Sequence, residues 1–305
     1  MHQSVLLQQS IHALAIRANG FYVDGTFGRG GHSQAILDKL DENGRLLAFD
    51  QDPEAIATGN ALMEKDTRFE IVHSGFEHLN QVLVERDKLH QVNGILFDLG
   101  VSSPQLDKGE RGFSFMRDGK LDMRMNPEQG ESVAQWLAHA KEKELADVLY
   151  QYGEERHSRR IAKAIIMRRE QKPFTHTLDL AQVIKVAHPR WKIGKHPATQ
   201  SFQALRIFIN RELDQLDQVL PQTLDALTQG GRLAIISFHS LEDRRVKRFI
   251  RRQTKGDEYP LDLPILAQEL NQTLRTLGKA QRASKDEQHD NPRARSAILR
   301  IAERL

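Results

Sequence analysis

The sequence predicts an α/β fold, a doubly wound and mostly parallel sheet interrupted by an inserted helical domain. Strand and helix patterns alternate up to about residue 100, which is typical of a parallel sheet with helices on both faces. A polar and helical stretch without a strand pattern follows, and an apolar strand returns after Gly230 and Gly231. We therefore predict a discontinuous α/β domain, formed by residues 1–104 and 198–305, around an insertion at 105–197.

Each element is predicted from its own periodicity and its flanking residues. Strands are predicted over residues 21–24, 45–50, 69–73, 94–99, 232–238 and 296–303. Helices are predicted over residues 33–40, 53–63, 76–87, 133–150, 159–169 and 241–252, with helical patterns also from 197 to 228. Ligands of such sheets bind at the carboxyl ends of the strands, so the segments that follow the strands are the first places to look for a site.

The first strand continues into a glycine-rich loop, Asp24-Gly-Thr-Phe-Gly-Arg-Gly-Gly-His32. Glycine has no Cβ atom to keep backbone amides away from a ligand, so the loop predicts a nucleotide or nucleoside site. The glycine order differs from the pyrophosphate fingerprint G-x-G-x-x-G, which favours a nucleoside without phosphates. The alternative is a purely structural turn from strand to helix.

Two further strands end in an aspartate. Asp50 closes the second strand, where a nucleoside-binding fold needs a carboxylate for the ribose hydroxyls. Asp98 closes the fourth strand and begins the segment Asp98-Leu-Gly-Val-Ser-Ser-Pro-Gln105. Because the carboxyl ends of parallel strands share one edge of the sheet, we expect a nucleoside and a reacting group to meet there. The alternative is that Asp98 caps a turn and that Ser-Ser-Pro is a connector.

Composition limits the chemistry. The chain has 305 residues and no cysteine, which excludes a thiolate nucleophile, cysteine-ligated zinc and an iron–sulfur cluster. No metal site is predicted. No apolar run reaches the length of a membrane span, and the first residues lack a basic segment followed by an apolar one. We therefore expect a soluble cytoplasmic protein with no membrane partner.

Two basic segments indicate a nucleic-acid partner. Residues 156–172 carry seven Lys and Arg against one acid, and residues 244–255 carry seven against none. Such densities favour contacts with phosphate groups and a salt-dependent affinity. The alternative is that both segments are solvated helix faces.

Five segments together resemble the RsmH/MraW family. They are the glycine loop, residues 98–107, Arg111-Gly-Phe-Ser-Phe-Met-Arg-Asp-Gly119, His196-Pro-Ala-Thr199 and Ser237-Phe-His-Ser-Leu-Glu-Asp-Arg244, and the similarity continues to residues 291–296. The resemblance implies a class I, Rossmann-like methyltransferase that uses S-adenosylmethionine (SAM) to methylate the exocyclic N4 of a cytosine in the decoding region of 16S rRNA. The RNA partner is expected within a small ribosomal subunit, and homodimer formation is left open.

The resemblance also implies a set of cofactor contacts. They come from Gly30, Gly31, His32, Asp50, Phe76, Asp98 and Gln105. The glycine backbone would approach the methionyl part, Asp50 would take the ribose hydroxyls, and Phe76 would cover the adenine face. For His32 no role is predicted, and it is equally compatible with a solvent-facing position beside the loop.

Cytosine N4 is a weak nucleophile because its lone pair is delocalised into the ring, so the site needs hydrogen-bond acceptors that hold the amine in line with the methyl group. Asp98, the hydroxyls of Ser102 and Ser103, and backbone carbonyls beside Pro104 are predicted for this role. Phe113 or Phe115 would stack on the base. The alternatives are a methyltransferase of another nucleic acid or of a protein, and a non-catalytic RNA-binding assembly factor.

Overall fold

The computed structural model describes residues 4–189, 196–257 and 270–305, and these divide into two compact units. The sheet unit comprises Met1–Gly100 and Leu213–Leu305, and the helical unit comprises Val101–Glu212. The return to the α/β domain that we predict at residue 198 therefore differs from the structure. The helix Thr199–Ile209 packs against the helix Glu142–Gly153 and belongs to the helical unit.

The sheet unit confirms the predicted doubly wound, mostly parallel sheet. In the described residues its strands are β1 (Phe21–Asp24), β2 (Arg45–Asp50), β3 (Phe69–His73), β4 (Val92–Asp98), β5 (Leu227–Ser237), β6 (Leu274–Thr276), β7 (Gln281–Arg282) and β8 (Ile298–Arg304). They are ordered β3-β2-β1-β4-β5-β8-β6, and β7 also pairs with β8. The pairs from β3 to β5 are parallel, whereas β8 is antiparallel to β5, β6 and β7.

Helices of the sheet unit cover both faces of this sheet. In chain order, the described helices of both units are α1 (Leu7–Leu14), α2 (Gly31–Leu37), α3 (Pro53–Met63), α4 (Leu79–Val84), α5 (Ser103–Asp107), α6 (Val133–His139), α7 (Glu142–Gly153), α8 (Ser158–Arg169), α9 (Thr177–Ala187), α10 (Thr199–Ile209), α11 (Glu212–Ala226), α12 (Ser240–Lys255) and α13 (Lys285–Asp290). Neighbouring residues of β2 point to opposite faces, so Leu46 belongs to the core cluster that includes residues of α1 and α2, while Leu47 belongs to the cluster that includes residues of α4, α11 and α12. Burial on both faces explains why the central strands are continuous apolar runs.

The helical unit has its own core, built from α6 to α10. The sequence predicts that Trp136 and Trp191 pack the insertion rather than stack on bases. Trp136 is 3% exposed, and its ring is tilted by 48° against that of Phe208 with the centroids 4.6 Å apart, which confirms the prediction for Trp136. Trp191, for which we predict the same role, lies outside the described residues. The single helix predicted over 133–150 is two helices, α6 and α7, with a break at Ala140. Among the described residues, no helix has the length and apolar character that a bilayer crossing requires.

Candidate active site

The glycine loop joins β1 to α2 and is held by its own backbone. Gly30 has a φ of 75°, in the left-handed region where glycine is favoured, and Gly31 begins α2. A Cβ atom on Gly30 would lie 2.8 Å from the Phe27 ring, and one on Gly31 would overlap the Ser4 hydroxyl. The loop therefore needs glycine at both predicted cofactor positions for steric reasons.

Asp50 lies at the carboxyl end of β2 and orders the loop. Its Oδ2 accepts the backbone N–H of Gly28 at 2.7 Å, and its Oδ1 accepts that of Asp52 at 2.8 Å. Burial raises the pKa of Asp50 to about 6, helped by the charges of Asp52 and Asp24 and opposed by the two N–H groups. Each carboxylate oxygen keeps a second lone pair, which is what a pair of ribose hydroxyls requires.

Asp24 ends β1 and is fully buried beneath the loop, at a position for which the sequence motifs predict no role. Its Oδ1 accepts the Thr26 N–H at 3.1 Å, and its Oδ2 accepts the Ser33 hydroxyl at 2.6 Å. Burial raises the pKa of this carboxyl group. Asp24 thus links the start of the loop at Thr26 to Ser33 at its end. The sequence signal for this structural role was an acid at the end of an apolar strand.

Asp98 ends β4, next to β1 in the sheet. Its N–H donates to the Thr26 hydroxyl at 2.6 Å, its Oδ2 lies 3.6 Å from Nδ1 of His32, and its buried Oδ1 has no hydrogen-bond partner among the described residues. Burial, together with the charges of Asp24 and Glu242, raises the pKa of Asp98 well above its ordinary value. The buried atom without a partner is a vacant acceptor at the strand end where ligands bind in such sheets.

His32 is the second residue of α2 and is only 4% exposed, so the solvent-facing alternative is wrong. Its Nε2 lies 3.2 Å from the carbonyl oxygen of Val5, and burial lowers its pKa to about 4. The ring is buried because the N-terminal segment covers α2, a long-range contact that the helix pattern could not reveal. The structure thus brings His32 to Asp98 rather than to solvent.

Phe76 begins a short 3₁₀ helix, Phe76–His78, after β3. Its half-buried ring contacts the buried Phe97 ring edge to face at a centroid distance of 5.4 Å. Phe97 precedes Asp98 on β4, so the contact ties Phe76 to the same edge of the sheet as the aspartates. Its stacking on adenine stays a prediction.

The segment after β4 belongs to the helical unit and forms the first turn of α5. Ser102 is the N-cap, and its N–H donates to Oε1 of Gln105 at 2.8 Å. This bond makes Gln105 a capping residue of α5, and its side chain is buried. Ser102, Ser103 and Pro104 are half-buried. Their roles toward the cofactor and the target amine stay predictions.

The segment Ser240-Leu-Glu-Asp243 predicts a capping box for the basic helix, with Ser240 as the N-cap, but the capping of α12 differs from this prediction. The N-cap is His239, and its N–H donates to Oε2 of Glu242 at 3.2 Å, while Glu242 N–H donates to Nδ1 of His239 at 3.4 Å. The capping box therefore pairs His239 with Glu242, one residue earlier than predicted, because α12 begins at Ser240. Glu242 is 2% exposed and contributes negative charge beside Asp98.

Comparison with known proteins follows this geometry. A family model described as the MraW methylase family matches residues 1–305. The chain belongs to the MraW methylase family. Two relatives are both named Ribosomal RNA small subunit methyltransferase H: one from Nitrosococcus oceani is 59% identical over 304 residues, covering 99% of this chain and 96% of that protein. The other, from Chromohalobacter salexigens, is 55% identical over 305 residues, covering 100% of this chain and 92% of that protein.

The resemblance stated from the sequence motifs is therefore confirmed over the whole chain. Among solved structures, an rRNA methylase from Streptococcus thermophilus aligns over 100% of this chain and 99% of its own, at 12% identity and a TM-score of 0.44. That structural similarity is too low to support an inference about this member of the MraW methylase family.

Proposed function

We propose that this chain transfers the methyl group of SAM to the exocyclic N4 of a cytosine in the decoding region of 16S rRNA. The observation that carries the proposal is full-length membership of a methylase family, with relatives at 59% and 55% identity named for the small-subunit rRNA. The lack of cysteine supports an amine as the target, because methylation at cytosine carbon 5 needs a cysteine that attacks the ring.

The residues at the carboxyl edge of the sheet fit SAM. When bound, SAM supplies a methyl group activated by a sulfonium cation. Asp50 offers two lone pairs to the ribose, and the backbone of the loop at Gly30 and Gly31 is proposed to face the methionyl part. The acids that end β1, β2 and β4 provide a negative environment for a cationic cofactor. Phe76 and Gln105 complete the proposed cofactor contacts.

The target amine needs acceptors rather than a strong base. The Oδ1 atom of Asp98 is buried without a partner in the described structure and is the first candidate. The chain runs from Asp98 into Ser102, Ser103 and Pro104, whose hydroxyls and carbonyls supply further acceptors. Their proposed work is to orient the amine and to accept hydrogen bonds that strengthen as positive charge develops on nitrogen.

Of the two aromatic candidates for stacking on the target base, Phe115 is the better one. Phe113 is 6% exposed and packs in the core of the helical unit. Phe115 is half-buried, and its ring lies 4.5 Å from the His196 ring and 4.8 Å from the Phe202 ring, measured between centroids. A partly exposed ring that is held by two neighbours can offer its remaining face to a base at low entropic cost.

The two units divide the work in this proposal. The sheet unit binds SAM, and the helical unit recognises the target base. The helical unit corresponds to the predicted insertion at 105–197, with the wider bounds Val101–Glu212. The proposed substrate is the rRNA within a small ribosomal subunit in the cytoplasm. Whether the chain forms a homodimer is tested by sedimentation with and without SAM.

The decisive experiment is transfer of a labelled methyl group from SAM to 16S rRNA and to assembled small subunits, followed by mass mapping of the modified base. We expect one methyl group on the N4 of a cytosine. Label on another nucleic acid or on protein would identify the alternative methyltransferase. Binding of SAM and RNA without turnover would identify an assembly factor instead.

Replacing Ser102 and Ser103 together by alanine is expected to lower the rate of methyl transfer about tenfold, because two neutral hydrogen bonds are removed. Affinity for SAM should change less, since the hydroxyls are proposed to face the amine. Single-turnover kinetics at saturating SAM and RNA measure the step directly. The matched control changes both serines to threonine, which keeps the hydroxyls, and an unchanged rate in the alanine variant would transfer the role to Asp98 or to backbone carbonyls.

A further inference from the structure

The contact between His32 and Asp98 has an unusual arrangement of lone pairs. The carbonyl oxygen of Val5 can only accept, so Nε2 of His32, at 3.2 Å, must carry the proton of the neutral ring. Its Nδ1 therefore presents a lone pair toward Oδ2 of Asp98 at 3.6 Å. An ionised Asp98 would present lone pairs as well, and the two atoms would repel. A proton between the two atoms makes the contact attractive, and the burial of His32, which is 4% exposed, disfavours the charged ring that would carry this proton on Nδ1.

The other charged groups around Asp98 act in the same direction. Asp24 faces it from β1 and is fully buried, and Glu242 faces it from α12 and is 2% exposed. Glu242 is held by the N–H groups of Phe238 at 2.7 Å and His239 at 3.2 Å, with Nε2 of His239 3.1 Å from its Oε1. A negative charge on Asp98 would thus be added near two other acids, while its Oδ1 has no donor in the described structure.

We propose that Asp98 keeps a proton directed at His32 while the site is empty, and that binding of the sulfonium cofactor releases this proton to solvent. The balance is simple: the carboxyl group becomes a carboxylate, the buffer takes the proton, and the sulfonium cation replaces it as the positive charge beside the three acids. His32 is a positioning residue, because its Val5 contact fixes which nitrogen accepts. The inference rests on the proposed use of SAM.

The pKa directions agree with this geometry. The pKa of Asp98 is raised by burial and by Asp24 and Glu242, and that of His32 is lowered to about 4 by burial, so both shifts favour the carboxyl group over the imidazole ring as the carrier of the proton. A consequence is discrimination between cofactor and product. S-adenosylhomocysteine lacks the sulfonium charge, so its binding should release a smaller fraction of a proton, and reprotonation of Asp98 should favour its departure after transfer.

The first test uses the empty protein. Carboxyl-carbon NMR of aspartate-labelled protein, with Asp98→Asn for assignment, should show Asp98 still protonated at pH values well above the ordinary aspartate pKa of about 4. Nitrogen-15 spectra, assigned with His32→Gln, should show His32 neutral with its proton on Nε2. Ionisation of Asp98 near pH 4, or a proton on Nδ1 of neutral His32, would overturn the proposal whether or not the protein uses SAM.

The second test counts protons. Calorimetric titration with SAM at pH 7, in buffers of different ionisation enthalpy, should give a larger proton release in wild type than in Asp98→Asn. Asp50, with a pKa of about 6, is mostly ionised at this pH and contributes little. Any protons that the cofactor's own amine takes up or releases contribute equally to both titrations, so they cancel when the two proton numbers are subtracted. Equal proton numbers would overturn the proposal, whereas failure of the wild type to bind SAM would contradict the proposed function.

Two variants of His32 separate positioning from packing. His32→Asn places an acceptor near the Nδ1 position and no longer reaches Val5, whereas His32→Gln places a donor near the Nε2 position and removes the acceptor. We expect His32→Asn to keep most of the proton release and His32→Gln to reduce it, because only the first still accepts from Asp98. A purely structural role predicts that both variants bind SAM less tightly with an unchanged proton number.

Discussion

Replacing Asp50 by alanine is expected to weaken SAM binding while the protein stays folded. A carboxylate that accepts two ribose hydroxyls makes charge-assisted hydrogen bonds, and removal of each costs about 1.5–3 kcal/mol, or at least tenfold in the dissociation constant. Calorimetric titration measures the change, and thermal unfolding reports whether the fold persists. Wild-type affinity in a folded variant would remove Asp50 from the ribose role.

The controls for this prediction follow from the loop geometry. Alanine also removes the acceptor of the Gly28 and Asp52 N–H groups, so part of the weakening comes from the loop itself. Asp50→Asn keeps one acceptor oxygen and should bind SAM with intermediate affinity. Asp38→Ala, which removes an exposed acid at the end of α2, should bind like wild type. Affinity of the wild type should also fall as pH decreases below about 6, where Asp50 takes up a proton.

The elements nearest the candidate site could be predicted from sequence because their signals are local. The apolar runs of β1, β2 and β3 end where predicted, and α3 begins where Asp52 caps it before Pro53. These rules involve only neighbouring residues. The strand ends placed Asp50 and Asp98 at one edge of the sheet without any knowledge of the tertiary structure.

The features that were missed depend on residues distant in sequence. β6 and β7 are short and largely polar, and in the described structure they are strands because β8 pairs with both. β5 begins at Leu227 rather than at residue 232. The Gly230–Gly231 pair resembles a turn in the sequence, but in the structure it lies within the strand, at a shift in the register with β4: Val92 pairs with Leu227, and Gly94 pairs with Arg232. The burial of His32 and Glu242 likewise depends on residues far along the chain.

The structure also distinguishes the two basic segments proposed for RNA binding. In α8, Nη2 of Arg168 donates to both carboxylate oxygens of Asp179, at 2.8 and 3.0 Å, and Arg169 donates to the carbonyls of Leu137 and Ala140. Those cations stabilise the helical unit. For α12, helical spacing predicts an apolar face of Val246, Phe249 and Ile250 opposite a basic face. Val246 and Ile250 are buried and Phe249 is half-buried, whereas the basic residues are exposed: Arg244, Lys247, Arg248, Arg251 and Arg252. α12 is therefore the better candidate for phosphate contacts.

Changing Lys247 and Arg251 to glutamine is expected to weaken RNA binding at low salt by about tenfold for each phosphate group that is no longer neutralised, and to leave SAM affinity unchanged. Glutamine preserves helix propensity and approximate size, so α12 should keep its packing. The logarithm of RNA affinity should also depend less steeply on the logarithm of salt concentration, by about one unit for each such phosphate, because fewer counterions are released. RNA-binding titrations across ionic strength, on 16S rRNA and on assembled small subunits, measure both quantities.

The matched control removes two charges with the same spacing from α8, by changing the exposed Arg159 and Lys163 to glutamine. Both double variants lower the net charge by two, so a non-specific effect of charge would flatten both salt dependences equally. We expect the α12 variant to have the flatter dependence and the lower affinity. If the α12 slope equals that of wild type on both substrates while the α8 slope is flatter, α12 is a solvated face and the RNA-binding surface lies on α8, because only a cation that contacts phosphate releases counterions when it binds.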